Sequence, residues 1–230
     1  MQKALLYFLS AAAIITLSFT GAGSEFEGKI TFEISVTGGN MPPEALAMFA
    51  GSEINVFIKG IHSRADVNMG MQNSSTITDR KANTTVMLTE MMGHKYKIID
   101  NTKKDEKEPE AVIKYLDETK EIAGYKCKKA EITFKDKTGE THTTSVFYTE
   151  EISNHMGNDT RSSHFKKLKG MPLEYEMEAE RGMKMKMTVK KVSKESVPDS
   201  KFDIPADYKE TTREGLQKEM MQMYQGGGQH

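Results

Sequence analysis

The stretch Leu173-Glu174-Tyr175-Glu176-Met177-Glu178-Ala179-Glu180, followed across Arg181-Gly182 by Met183-Lys184-Met185-Lys186-Met187-Thr188-Val189-Lys190, alternates apolar and charged residues with a period of two. Side chains along a strand point to opposite faces in turn, so each half reads as a β-strand with one apolar and one charged face. An odd connection centred on Gly182 predicts a hairpin in which Tyr175 meets Val189, Met177 meets Met187, Ala179 meets Met185 and Glu178 lies opposite Lys186. An even connection would set each glutamate against a methionine and turn the lysines inward. Burying unpaired ammonium groups costs far more than any turn preference returns. The odd register gives an apolar face and a charge-paired face together, each cross-strand pair adding about 0.2 to 1 kcal/mol.

The same period runs outward in both directions. Phe26, Ile30, Phe32, Ile34 and Val36 alternate with polar residues until Gly38-Gly39-Asn40 breaks the strand. Pro42-Pro43-Glu44 then opens a short helix through Leu46, Met48 and Phe49, which Gly51 stops. Further strands are expected at Ile54-Val56-Ile58, Ile61 to Met69, Ser75 to Asp79, Thr85 to Leu88, Lys95 to Ile99, Val112 to Leu116, Tyr125 to Phe134 and Thr141 to Tyr148. The charged, proline-bearing run Lys103 to Glu110 reads as a loop inside one domain. Asp136-Lys137-Thr138-Gly139-Glu140 reads as a hairpin loop with Gly139 in a left-handed conformation. At the end, Thr211 and Glu214 form a capping-box pattern. Leu216, Met220, Met223 and Tyr224 then mark an amphipathic helix over 211–225, laid on the sheet, with a disordered tail at 226–230. The fold class is mainly β (α+β), a curved antiparallel sheet over 23–210 with a short helix after its first strand and a C-terminal helix.

Met1-Gln2-Lys3, an apolar stretch from Ala4 to Leu17 and the small residues Gly21-Ala22-Gly23 read as a secretory signal peptide over 1–22. The stretch is short for a membrane span, and the single cysteine, Cys127, does not follow the leader as lipid anchoring would require. A soluble protein of the periplasm or extracellular space is expected, without stable membrane insertion. Lysine and arginine total 32 against 33 aspartates and glutamates, a balance that argues against a nucleic-acid binder.

Chemistry-bearing motifs are absent: no Gly-x-Ser-x-Gly, His-Glu-x-x-His, Cys-x-x-Cys or phosphate-cradling glycine loop occurs. Adjacent Glu150 and Glu151 point to opposite faces of a strand and make a poor acid/base pair. The 6 histidines share no ligand spacing and read as surface or turn residues. Met183-x-Met185-x-Met187 superficially resembles a soft-copper cluster. The intervening lysines repel a cation, and the reading preferred is an apolar strand face. Cys127, in phase with Tyr125 and flanked by Lys126 and Lys128, reads as a buried, inert thiol. No catalytic residue, metal or cofactor is assigned.

Four places carry a family resemblance: Val56-Phe57-Ile58-Lys59-Gly60 with Ser63-Arg64; Thr119-Lys120-Glu121-Ile122-Ala123-Gly124-Tyr125-Lys126-Cys127-Lys128-Lys129-Ala130; Gly170-Met171-Pro172-Leu173-Glu174-Tyr175; and Phe202-Asp203-Ile204-Pro205-Ala206-Asp207-Tyr208. Through them the chain resembles the secreted bacterial family of domain of unknown function 4412, related to the lipoprotein-carrier type of fold. The resemblance implies an unclosed β-barrel with helices over its concave side, and no activity. The function expected is a cell-envelope binding protein holding an apolar ligand, such as a lipid acyl chain, between sheet and helices. Phe32, Ile34, Val56, Ile58, Tyr175, Met177, Met185 and Met187 are the expected lining. The alternative is a non-catalytic structural or protein-interaction module without a cavity.

Overall fold

The computed structural model describes residues 26–37, 49–69, 72–91, 93–100, 111–136, 139–156, 163–178 and 184–226. Its strands are β1 (Glu27–Thr37), β2 (Glu53–Lys59), β3 (His62–Met69), β4 (Gln72–Asp79), β5 (Thr84–Met91), β6 (His94–Asp100), β7 (Val112–Ile122), β8 (Tyr125–Lys135), β9 (Thr141–Thr149), β10 (Met171–Glu178), β11 (Lys184–Lys194) and β12 (Lys209–Thr211). One helix, α1 (Arg213–Gly226), follows. The expected signal peptide, the helix over 42–50 and the loop from Lys103 to Glu110 fall on residues outside those described, apart from the turn at Phe49-Ala50.

All the strands form one 12-stranded sheet in the order β12-β6-β5-β4-β3-β2-β1-β11-β10-β9-β8-β7, which does not close. Every pair is antiparallel except β12 on β6. Local turn chemistry sets several of the hairpins. Ile122 pairs with Tyr125 across Ala123-Gly124, whose φ values of 49° and 83° make the two-residue turn that matches strand twist. Gly139 is left-handed as expected, at φ 87°.

The hairpin of β10 and β11 has the expected parity and a different offset. Tyr175 pairs with Met187, Met177 with Met185, Glu176 with Lys186 and Glu178 with Lys184, a shift of two residues that centres the connection on position 181 rather than Gly182. Tyr175–Val189, Met177–Met187 and Ala179–Met185 are therefore not partners. A two-residue shift keeps apolar side chains on the apolar face, so alternation alone does not penalise it. The neighbouring strand decides: β1 sets Phe32 on Val189 and Ile34 on Met187. A bulge between Thr31 and Phe32 in this ladder absorbs the doubled Lys190-Lys191, so Val189 and Val192 both face Phe32 and Ile30.

The sheet curls toward one of its faces. In sheet order β4 and β9 stand six steps apart, about 29 Å if the sheet were flat. Yet Arg80, just after β4, donates from Nη1 to Asn154 O, in the segment after β9, at 3.4 Å. The face on which these residues meet is the inner face.

Two segments cross the sheet. Residues 150–156 and 163–170 lie over the inner face at β8–β11, where Phe165 packs edge-on to Tyr175 with ring centroids 4.9 Å apart. Asn154 Nδ2 donates to Phe165 O and Leu168 O and holds that segment folded. Residues 195–208 run over the outer face from β11 to the far edge. They are fastened by Lys59 on Asp199 (2.6 Å), Lys201 on Asp66 (3.1 Å) and Lys95 on Asp207 (2.8 Å).

Helix α1 begins one residue later than the capping-box reading places it. Thr211 is spent on β12, and Thr212 Oγ1 accepts the Gly215 N–H at 3.0 Å. The helix is moored to the β6 edge through Glu219, which accepts from Lys209 at 2.8 Å and from the Tyr96 hydroxyl.

Candidate functional site

The eight residues expected to line a cavity all fall on the inner face. Strand pairing sets Ile34, Met187, Tyr175, Val146, Ala130 and Tyr115 in one row across β1, β11, β10, β9, β8 and β7. Phe32, Ile34, Ile58, Tyr175 and Met187 are buried, and Val56, Met177 and Met185 are half-buried beside them. Phe32 and Tyr175 meet edge-on at 6.1 Å, and Phe165 seals Tyr175 from above. Here the inner face is packed core, continuous with Ile132, Phe165, Leu168 and Leu173.

Beyond β1 the same face changes character. Two rows continue from it: Ile30, Val56, Ala65, Thr76, Met87 and Ile98, then Phe32, Ile54, Val67, Ser74, Thr89 and Tyr96. A third row at the end of the strands carries Ile58, Ser63, Thr78 and Thr85. Tyr96 and Ile98 are buried yet belong to neither apolar cluster of the protein. Ser63, Thr78, Thr85 and Thr89 are buried hydroxyls on this side. The second cluster, Ile77, Val86 and Leu88 with Phe202 and Tyr208, lies on the outer face of the same strands. The small and hydroxyl-bearing belt was missed by sequence reasoning, because serines and threonines at alternate positions read as a wet face.

Polar atoms without partners gather around this belt. Thr89 Oγ1, Arg80 Nε and His155 Nδ1 are buried and unpaired, as is Ser52 Oγ at the start of β2. Such atoms are rare in folded proteins and call for a physical account. His155, expected as a surface or turn residue, is buried. Burial, helped by the Arg80 charge, holds its imidazole down to about 4. His164 is buried as well, stacked on Phe134 with ring centroids 4.2 Å apart.

On the outer face, Cys127 is fully buried, and burial first, then the Glu151 charge, pushes its thiol up to about 11. The burial agrees with what its phase with Tyr125 led us to expect. Glu174 departs from the expected solvated charge face. It is buried, and Lys120 and Lys186 hold its carboxylate at 2.8 and 3.2 Å. Burial alone would raise its pKa, but the two lysines outweigh it and bring the group below the usual carboxylate range.

Two other places have ligand-like geometry. An open depression of about 780 Å³ lies at the β6 edge, lined by Tyr96, Lys95, Asp207, Lys209 and Glu219 among others. Its walls are ion pairs, and it suits no acyl chain. At the β8–β9 hairpin Asp136, Glu140 and His142 bring potential ligand atoms within 4.8 Å of one another. Asp136 already accepts the Glu140 N–H and meets His142 Nε2, each at 2.9 Å, so the group closes the turn. Among the described residues no helix is long and apolar enough to cross a membrane.

None of the curated proteins matches the chain. A family model does, over residues 26–208, which takes in the sheet from β1 to β11 and the outer segment as far as Tyr208. The chain belongs to the family described as domain of unknown function (DUF4412).

Proposed function

We propose that the protein is an exported carrier of the cell envelope, working in the periplasm or outside the cell, which holds an apolar ligand such as a lipid acyl chain against the inner face of β2–β6. The observation that carries this reading is the belt of Val56, Ala65, Thr76, Met87 and Ile98 with its neighbouring row. Ile98 is buried, Val56, Ala65, Thr76 and Met87 are half-buried, and the buried hydroxyls of Ser63, Thr78, Thr85 and Thr89 lie among them. Methionine in such a wall adapts to irregular guests.

Native mass spectrometry of the freshly purified protein, followed by lipid extraction, tests the reading. A lipid retained at fixed ratio supports it, and protein free of lipid at every ratio rejects it. The double variant Ala65→Phe/Met87→Phe fills the belt and is expected to abolish retention while the protein stays folded. Amino-terminal sequencing of secreted material is expected to begin close to Gly23.

The competing interaction module has one observation in its favour. Strand β7 leaves an edge of 11 residues unpaired, with Val112 66 % exposed and Tyr115 39 % exposed. Its bulge between Tyr115 and Thr119 breaks the edge into two short runs, which weakens it as a template for strand addition.

A further inference from the structure

The β4–β5 turn and the segment after β9 meet at one end of the inner face, and their meeting leaves charge unsatisfied. Strand parity sets Arg80 on the same face as Thr76 and Thr78. Its Nη2 donates to Gly60 O at 3.1 Å and its Nη1 to Asn154 O at 3.4 Å, while Nε is buried with no partner. No carboxylate among the described residues pairs with this guanidinium. The nearest in sequence, Asp79, turns its Oδ1 to the N–H groups of Lys81 and Ala82. Arg64 provides the contrast within the same sheet, lying on Asp66 at 2.5 Å.

Beside Arg80 stands His155, 7 % exposed, with Nδ1 unpartnered. The adjoining row adds the buried hydroxyls of Ser63, Thr78 and Thr85, of which Thr78 and Thr85 share a hydrogen bond at 3.3 Å. A half-buried guanidinium answered only by backbone carbonyls retains most of its attraction for an anion. A neutral imidazole in the Nδ1–H tautomer adds a donor, and guanidinium forks match the oxygens of carboxylate and phosphate.

We propose that Arg80 and His155 anchor the anionic headgroup of a single-chain amphiphile, a carboxylate or a phosphate monoester, whose tail runs along the belt from Thr78 past Thr76 and Ser74. The inference rests on the carrier reading and names its ligand class. From Thr78 to the start of β4 at Gln72 the face extends for about 20 Å, room for a long acyl chain. The unpaired Thr89 hydroxyl lies two rows from the anchor, so the tail passes it rather than ending on it.

The test compares probes on the delipidated protein by isothermal titration calorimetry: palmitate, hexadecyl phosphate, uncharged hexadecanol and sodium phosphate alone. Both charged amphiphiles are expected to bind at least about tenfold tighter than hexadecanol. Arg80→Met is expected to erase that preference, and Arg80→Lys to keep most of it. Equal binding of palmitate and hexadecanol by the unmodified protein overturns the headgroup assignment and leaves the carrier reading standing. Sodium phosphate binding as tightly as the amphiphiles assigns the place to a free oxyanion and overturns it too. Failure of every amphiphile to bind defeats both readings together. The comparison among probes needs no variant, so poor folding of Arg80→Met does not shelter the proposal.

Discussion

The strands from β7 through β11 to β1 and those from β2 to β6 belong to one sheet, but they are finished on opposite faces. In the first group residues 150–156 and 163–170 lie on the inner face and fill it with Ile152, Phe165 and Leu168, all buried. In the second the segment 195–208 lies on the outer face and brings Phe202 and Tyr208 against Ile77, Val86 and Leu88. The first group offers Phe32, Tyr175, Met187 and Ile132 on its inner face; the second mixes Ile54, Ile58, Met87 and Tyr96 with the smaller Ala65, Ser74, Thr76 and Thr78. A sheet that needed only stability would bury large side chains on both. The difference sets the hydroxyl-bearing inner face of β2–β6 apart from the packed inner face of the other strands.

The largest effect that can break this comparison is a cavity in the packed half. Phe165→Ala removes a fully buried ring lying against Tyr175 and is expected to cost about 3 to 5 kcal/mol in urea unfolding. Met87→Ala, half-buried on the inner face of β5, is expected to cost about 1 kcal/mol, since less of its side chain is withdrawn from water. Equal losses would mean that β2–β6 carry an ordinary core on their inner face.

A second effect reads the boundary between the halves through pH. His155 is held at about 4 by burial and by Arg80, against 6.5 for the free group. The unfolded chain therefore takes up a proton below pH 6.5 that the folded protein accepts only near pH 4. Stability is complete above 6.5 and falls as pH drops toward 4, by roughly 3 kcal/mol from this group. His155→Gln should flatten that part of a stability profile measured over the same window. An unchanged slope in the variant would remove His155 from the account.

The smallest effect sharpens the packed half from its outer side. Cys127→Ser places a hydroxyl where a buried thiol now points to the Tyr125 carbonyl at 3.5 Å, at an expected cost of about 1 to 2 kcal/mol. The native thiol is expected to resist thiol reagents until the protein unfolds, because burial keeps the thiolate scarce. Rapid modification of folded protein would contradict this.

Much of the sheet was legible because alternation is local. Strands such as β1, β2, β10 and β11 have runs of period-two residues, and that the glutamates of β10 face lysine or threonine rather than methionine follows from polarity alone, although Lys186 meets Glu176 and not the expected Glu178. The offset of that hairpin was not legible, since sliding by two residues exchanges one apolar partner for another at no cost within the pair. Met187 is fixed by Ile34 on β1, far away in sequence. Glu174 was unreadable for a similar reason: its alternation says solvent, but Lys120 reaches it from β7, three strands away. His155 sits in a segment with no period, so nothing near it in sequence announces burial.

The amino-acid order by itself thus determined that the chain forms amphipathic strands, which of their faces is apolar, and where glycine lets them turn, because these depend on neighbours one to four residues apart. Only the tertiary structure decided which inner-face residues are buried in the large apolar cluster and which lie among hydroxyls. That depends on how the sheet curls and on which side two connecting segments cross it, and those choices are made by contacts such as Phe165 with Tyr175 and Arg80 with Asn154. The first joins residues ten positions apart and the second residues 74 apart, and neither separation falls within the reach of a strand's own period.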